Sequence, residues 1–491
     1  MDAFAAALTI VNLLAIAGGV TLGIVIGAIP GLGSVTAMAV LIPVTYYMSP
    51  LAAIAFLVGV NKGGTSGGAI PAILLNSPGT PESAATTLDG HPMAKRGEAR
   101  RALKFALFSS VTGDTISDVL LILLVAPFAA IALQFGPLEY TAVLIFAFAL
   151  LAGIVGQSPA KGILAIFFGV FLSTIGLDPI VSSQRMTFGE AHLYDGLPLI
   201  AIAIGALALS PVLTEMIDLC RRGGKESFVV DQPVSGADTA LPPREFFSYW
   251  RTILRSSLIG SFVGMLPGLG VTLAALLSYG AARRASPRRA NFGKGEPEGI
   301  IATEAANSAV VGANLVPTIA LGIPGNIAAA LLIGALVIHG VVPGPFMLKL
   351  HGDLIYALFA SMIIANAIHL VIGRLGIDLW VRFASVPRGI ILPPVIIFCI
   401  IGVYMPSQSF WDIAIMLIFA GLGILMIRTG FSIVCLVIGF LLGGMFETSL
   451  RQTLLLYQDR YGEVLHSPFA VGFALLTVGV LVRAFFLRPR A

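Results

Sequence analysis

The sequence predicts an all-α polytopic membrane protein of roughly 10–14 membrane segments, several of them broken or re-entrant, arranged as two inverted repeats. Three observations carry that expectation. Hydrophobic residues make up 57% of the 491 positions and charged residues only 11%, and the mean hydropathy is +0.96. Apolar runs of about 20 residues, long enough to cross a hydrocarbon core at roughly 1.5 Å per residue, recur from end to end. Two proline–glycine motifs in the first half return, in order, in the second. No long alternating pattern of strands is present, which excludes a β-barrel.

The opening "MDAFAAALTIVNLLAIAGG" has no basic n-region and is followed by further apolar runs, so it reads as a first membrane helix rather than a cleaved signal. More segments are expected near 34–48, 51–75, 105–132, 139–157, 160–177 and 196–217. A second series follows near 256–282, 300–340, 355–373, 389–404, 411–427, 431–446 and 468–487. Basic residues gather at 94–104, 220–225, 283–294, Arg374 to Arg388 and the tail, which the positive-inside rule assigns to the cytoplasmic side. The longest polar stretch then divides the chain into a first membrane repeat, 1–218, a cytoplasmic linker, 219–250, and a second membrane repeat, 251–491. Cys220, Cys399 and Cys435 have neither disulfide-framework nor metal-ligand spacing, and the net charge of +4 reflects loop placement rather than nucleic-acid binding.

The internal match is specific. "GIVIGAIPGLGSVTAMAVL" (23–41) answers "GSFVGMLPGLGVTLAALLS" (260–278), pairing Gly23, Gly27, Pro30, Gly31, Leu32 and Gly33 with Gly260, Gly264, Pro267, Gly268, Leu269 and Gly270 at an offset of 237. "VGVNKGGTSGGAIPAILLNSPGTP" (58–81) answers "EAANSAVVGANLVPTIALGIPGNI" (304–327) at an offset of 246. The extra residues fall in the basic loop 283–299. The second PGLG lies between Arg251/Arg255 and Arg283/Arg284, two apparently cytoplasmic anchors, which fits a re-entrant hairpin better than one full crossing. No Lys or Arg precedes Lys62 in the first half, which favours the opposite orientation there.

A helix interrupted at membrane depth exposes N–H and C=O groups that lipid cannot satisfy, so such breaks persist where they are buried in protein or line a cavity. Glycine lets the backbone approach a ligand, and a restarting helix offers free N–H groups to an anion. The expected guest is a carboxylate. Candidate binding residues are Gly31, Gly33, Asn61, Thr65, Ser66, Asn76, Ser77, Gly79 and Thr80 in the first half. Gly268, Gly270, Asn307, Asn314, Gly325 and Asn326 are their counterparts in the second. The same Gly, Ser and Thr also permit close helix packing. Asp114, Asp118 and Glu304 are acidic in apolar surroundings and are candidates for coupling a sodium ion or a proton, or else sit at helix ends or beside basic partners. His339 and His369 are apolar-flanked, as proton carriers or as structural residues. No cofactor or resident metal is expected.

At "GGAIPAILLNSPGTPESAATTLDGHPMAKRGEARRAL" (67–103), together with the two PGLG turns and the later G-I-P-G-N (322–326), the chain resembles the large permease subunit of the tripartite tricarboxylate transporters, the TctA family. The likeness spans essentially the whole chain. It implies a bacterial inner-membrane secondary transporter that imports carboxylates on an ion gradient. It also implies a small membrane subunit (TctB-like) and a periplasmic solute-binding protein (TctC-like) as partners. Where family members often carry aromatic residues, this chain has Lys62, either to bias a cavity toward anions or to snorkel to the interface. Asp89-Gly90-His91-Pro92 is expected as a structural turn at the cytoplasmic surface.

Two other classes compete. Gly64-Thr65-Ser66-Gly67 fits the G-x-S-G of intramembrane serine proteases, which would need a general base beside Ser66, and the same loops would serve a channel as a filter. No Walker A motif supports ATP-driven pumping. The reading carried forward is a secondary transporter whose four broken segments meet near the bilayer midplane and move, elevator-fashion, against the remaining helices.

Overall fold

The protein is described by a computed structural model covering residues 2–29, 31–155, 158–178, 180–221, 241–267, 270–384, 386–458 and 461–486. Pro30, Gly268, Leu269 and most of the expected linker lie outside the described residues. Among those described, nine helices are long and apolar enough to cross a membrane, and four shorter apolar helices accompany them. The chain is thus an all-α polytopic membrane protein. One two-residue antiparallel pairing, Gly176 with Arg185 and Leu177 with Gln184, interrupts the helices.

The broken segments take the same form in each half. In the first, Ile10–Gly27 is followed by the break and the short helix Ser34–Leu41, and Pro50–Gly67 runs back and continues as Ala69–Leu75. In the second, Trp250–Met265 and Val271–Ala285 are followed by Pro297–Ala313 and Leu315–Leu321. Small residues let the paired helices touch backbone to backbone. A Cβ on Gly23 would lie 2.4 Å from the Val60 carbonyl oxygen, and one on Gly260 would lie 2.2 Å from that of Ala306. Gly260 stands 237 residues after Gly23, and Ala306 stands 246 after Val60, so the sequence offsets carry over into the packing.

The second turns repeat as well. Asn76 and Gly322 end their helices in the left-handed region, with φ of 53° and 73°. Just beyond, the Ser77 N–H reaches the Pro71 carbonyl at 3.4 Å and the Ile323 N–H reaches Pro317 at 3.3 Å. The chain then restarts on a side-chain cap: the Thr80 hydroxyl accepts from the Ser83 N–H at 3.4 Å, and the Asn326 amide oxygen accepts from the Ala329 N–H at 2.9 Å.

After its turn, each half sends a segment across to the other. Ile327–Ile338 packs on Ser34–Leu41 and Pro50–Gly67, and Ala84–Met93 packs on Val271–Ala285 and Pro297–Ala313. The crossing corrects the expectation for residues 89–92. They are not a turn but part of the helix Ala84–Met93, which runs through Pro92 into a π-helical turn, Ala94–Glu98. Buried Asp89 accepts from the N–H groups of Gly293, Gly295 and Glu296 at 2.8, 2.9 and 2.9 Å and from the Tyr279 hydroxyl at 2.9 Å. Its role is still that of a cap, but the cap holds the basic loop of the opposite half at the start of Pro297–Ala313.

The remaining helices also join the halves. Pro159–Ser173 packs on Ile433–Leu456, and Pro137–Val155 packs on Pro468–Phe486. Large apolar side chains such as Ile145, Phe167, Leu454 and Leu475 face outward from these helices, the surface a bilayer covers.

Candidate functional site

Within each half the described parts of the breaks pack closely. Gly33, extended at φ −73° and ψ 178°, caps Ser34–Leu41, and a Cβ on it would meet the Thr80 methyl at 3.2 Å, so the two tips of the first half touch. Gly79 lies against the Gly27 carbonyl and the Gly68 Cα, and Gly325 lies against the equivalent Gly264 carbonyl and Asn314. Gly31 and Gly270 adopt φ of 89° and 75°, conformations glycine alone reaches without strain. Gly268 lies outside the described residues. Asn76 is exposed and Ser77 half-buried at the turn, while Thr80 is buried at its cap.

Deeper in, Asn61, Thr65 and Ser66 are buried on Pro50–Gly67, with Asn61 and Thr65 one turn apart on one face and Ser66 turned away from Asn61. Asn61 lines a cavity of about 10 Å³ together with Asn314, Val58, Ala329 and Leu332. That volume holds about one water-sized species. Ser66 instead lines a separate apolar cavity with Ile24, Leu103 and Trp380. Among the described residues, Ser66 makes no hydrogen bond to a histidine, and the His91 ring sits 3.1 Å from the Ile73 carbonyl.

Several of the second-half groups are buried without partners. Asn307 and Asn314 are 0% and 1% exposed, and among the described residues both polar atoms of each amide, like the Ser308 hydroxyl, find no hydrogen-bond partner. A buried unpaired polar group costs about 1–3 kcal/mol, so such a cluster calls for a partner from outside the protein, water or a bound ligand.

The acids form a second, charged layer beside these amides. Ala99–Ala132 carries Ser110, Asp114 and Asp118 one turn apart on a buried face. Lys62, 0% exposed, donates to Asp118 Oδ2 and to Asn366 Oδ1, each at 2.6 Å, and stands 3.7 Å from Asp114 Oδ1. Asn366 closes the ring by donating to Asp118 at 2.8 Å and to Thr115 at 3.2 Å. Lys62 therefore neither snorkels nor faces a cavity, because two buried carboxylates hold it. Asp114 and Asp118 do pair with a basic group, the alternative left open by the sequence, though well inside the helix. Glu304 lies apart from the lysine and accepts from the Thr86 hydroxyl and from Ser110 at 3.1 Å, with Thr86 and Thr303 3.0 Å apart. His369 is fully buried 4.0 Å from Asp114, whereas His339 is half-buried just past the end of Ile327–Ile338.

Thr86, Ser110 and Asn366 escaped the sequence reading. Their signal is weak because a lone hydroxyl or amide in an apolar helix is common, and only the fold brings each one to a carboxylate. Lys62 was the better clue, since a lysine at membrane depth requires a counter-charge nearby.

The family profile described as "Tripartite tricarboxylate transporter TctA family" matches residues 13–438, a span that contains every break, amide and acid described above. The chain belongs to the TctA family. Among its relatives in Agrobacterium vitis is an uncharacterized 52.8 kDa protein in the TAR-I ttuC' 3' region. It is 32% identical over 477 residues, which cover 97% of this chain and 93% of that protein. An uncharacterized protein in the TAR-II ttuC' 3' region is 32% identical over 222 residues, 45% of this chain and 91% of that protein. No solved structure matches the chain. This TctA-family chain is thus a multi-pass membrane protein of a transporter family whose systems are tripartite.

Proposed function

We propose that the chain is the large membrane subunit of a binding-protein-dependent secondary transporter in the bacterial inner membrane. It imports di- or tricarboxylates or related organic anions on a sodium or proton gradient. A small membrane subunit (TctB-like) and a periplasmic solute-binding protein (TctC-like) complete the system. The two membrane repeats have inverted orientations, and their four breaks form the carboxylate-binding element, which moves elevator-fashion against the outer helices. The observation that carries this reading is the duplicated pair of broken helices surrounding buried amides without protein partners. Such amides, with glycine backbones and helix starts close by, suit an anion that needs several neutral donors.

Asn307→Ala and Asn314→Ala are the appropriate tests, because neither side chain supports the fold through a hydrogen bond. In proteoliposomes supplied with the partner subunits and a panel of labelled carboxylates, both variants are expected to insert normally and to lose uptake. Normal uptake by both would overturn the assignment of the site.

A further inference from the structure

We infer that Asp114 and His369 hold one exchangeable proton, and that Lys62 is the charge that moves when this proton leaves. The inference rests on the transport reading above and names the coupling ion it left open.

Charge balance comes first. Lys62 supplies one positive charge to a fully buried cluster that contains two carboxylates, Asp114 and Asp118. With both carboxylates ionised and His369 neutral, the cluster would carry an uncompensated negative charge away from water, which is strongly disfavoured. One further positive charge is needed. The distances locate it, because Lys62 and Asn366 both bind Asp118 within hydrogen-bond reach while, among the described residues, neither oxygen of Asp114 has a hydrogen-bond partner. His369 faces Asp114 at 4.0 Å, and both of its ring nitrogens are also without partners. A proton on the Asp114 carboxyl, facing His369, neutralises the cluster.

The surroundings favour a proton over a sodium ion. Sodium needs a cage of oxygens, whereas Asp114 faces an ammonium at 3.7 Å and an imidazole. Elsewhere on Ala99–Ala132 and the helices packed on it, Glu304 is bound to Thr86 and Ser110, and the remaining ionisable groups, Asp89, His91, Arg100, Arg101, Lys104, Glu298, Arg251, Arg255, Asp353 and Arg374, lie toward helix ends. None neutralises Asp114.

The consequence is mechanical. With the proton in place, Lys62 sits on Asp118, as observed. When Asp114 loses it, a second anion less than 4 Å from the ammonium draws Lys62 away from Asp118 and Asn366. Lys62 follows Asn61 directly on Pro50–Gly67, so that shift acts on the helix that carries the amide of the binding element.

The test is Asp114→Asn in the full-length chain, read in two ways. Infrared difference spectra of the purified protein across a pH titration are expected to show a protonated-carboxyl band that is lost in D114N and kept in D118N. In proteoliposomes with the partner subunits, D114N is expected to lose accumulation driven by a pH gradient yet keep exchange of carboxylate across the membrane without one. Accumulation driven by the pH gradient in D114N, or a band unchanged by the substitution, would overturn the inference. A wild-type chain that shows the band but carries no carboxylate would instead overturn the transport reading and leave the proton site standing.

Discussion

The two crossings between the halves share a backbone and differ in polarity. Where the first half reaches over the second, Thr86 donates to the buried carboxylate of Glu304. At the reciprocal crossing the same repeat positions hold Leu332 and Val58, which line the small cavity shared by Asn61 and Asn314. The contrast continues along the same helices. Lys62 is bound by Asp118 and Asn366, while its counterpart 246 residues later is Ser308, whose hydroxyl has no protein partner. Close glycines and capped turns are required twice, once for each pair of broken helices. A hydroxyl-bound buried carboxylate sits at one crossing and an apolar pair at the other.

Removing the charge should separate the two regions most sharply. Lys62→Met would leave Asp118 buried against Asn366 alone, and breaking a buried pair by deleting one partner costs about 3–5 kcal/mol. Ser308→Ala deletes a hydroxyl that has no hydrogen-bond partner among the described residues and should cost far less. Thermal unfolding in detergent compares them directly. Equal losses would mean that the lysine is not paired as described. Restoring charge balance in the Lys62→Met/Asp118→Asn double variant should recover much of the loss.

Where the backbones are alike, the effects should be alike in kind and smaller. A Cβ on Gly79 would lie 2.3 Å from the Gly27 carbonyl oxygen, while one on Gly325 would lie 2.8 Å from the Asn314 Cβ and 2.9 Å from the Gly264 carbonyl oxygen. Both Gly→Ala changes overpack a tight junction, which typically costs about 1–3 kcal/mol. Gly79→Ala should be the worse of the two, because its obstacle is nearer and is backbone. A stable Gly79→Ala protein beside an unfolded Gly325→Ala protein would break the equivalence of the two turns.

Much of this was legible in the sequence because it depends on residue types that do one thing. Gly23 and Gly27 could be aligned with Gly260 and Gly264 since only glycine tolerates a carbonyl at such distances, and Asn76 and Gly322 are residue types that accept a left-handed turn. The acids at 114, 118 and 304 were visible because charge at membrane depth is rare. The partners were not visible, since the separation between Lys62 and Asn366, or between Thr86 and Glu304, is set by tertiary packing. Local pattern also misled at Asp89 to Pro92, where a proline and a glycine read as a turn but the opposite half's loop holds the segment in a helix. The same limit put Ser66 beside Asn61 in the reading, although helical geometry turns the two toward different cavities.

The finest distinction lies in the two caps. Asn326 accepts the Ala329 N–H at 2.9 Å through an amide oxygen that, among the described residues, makes no other hydrogen bond. Thr80 accepts the Ser83 N–H at a longer 3.4 Å and spends its hydroxyl also on the Ser83 hydroxyl, 2.8 Å away. Removing an N-cap side chain costs about 1 kcal/mol, so Asn326→Ala should approach that figure. Thr80→Ala should cost less through the cap itself, yet it also loosens the contact between the Thr80 methyl and Gly33 that joins the two tips of the first half. Hydrogen exchange at Ser83 and Ala329 would read each cap separately. Faster exchange at Ala329 in Asn326→Ala, with Ser83 barely changed in Thr80→Ala, would mean that the second-half turn is held by its cap and the first-half turn by the packing of its tips.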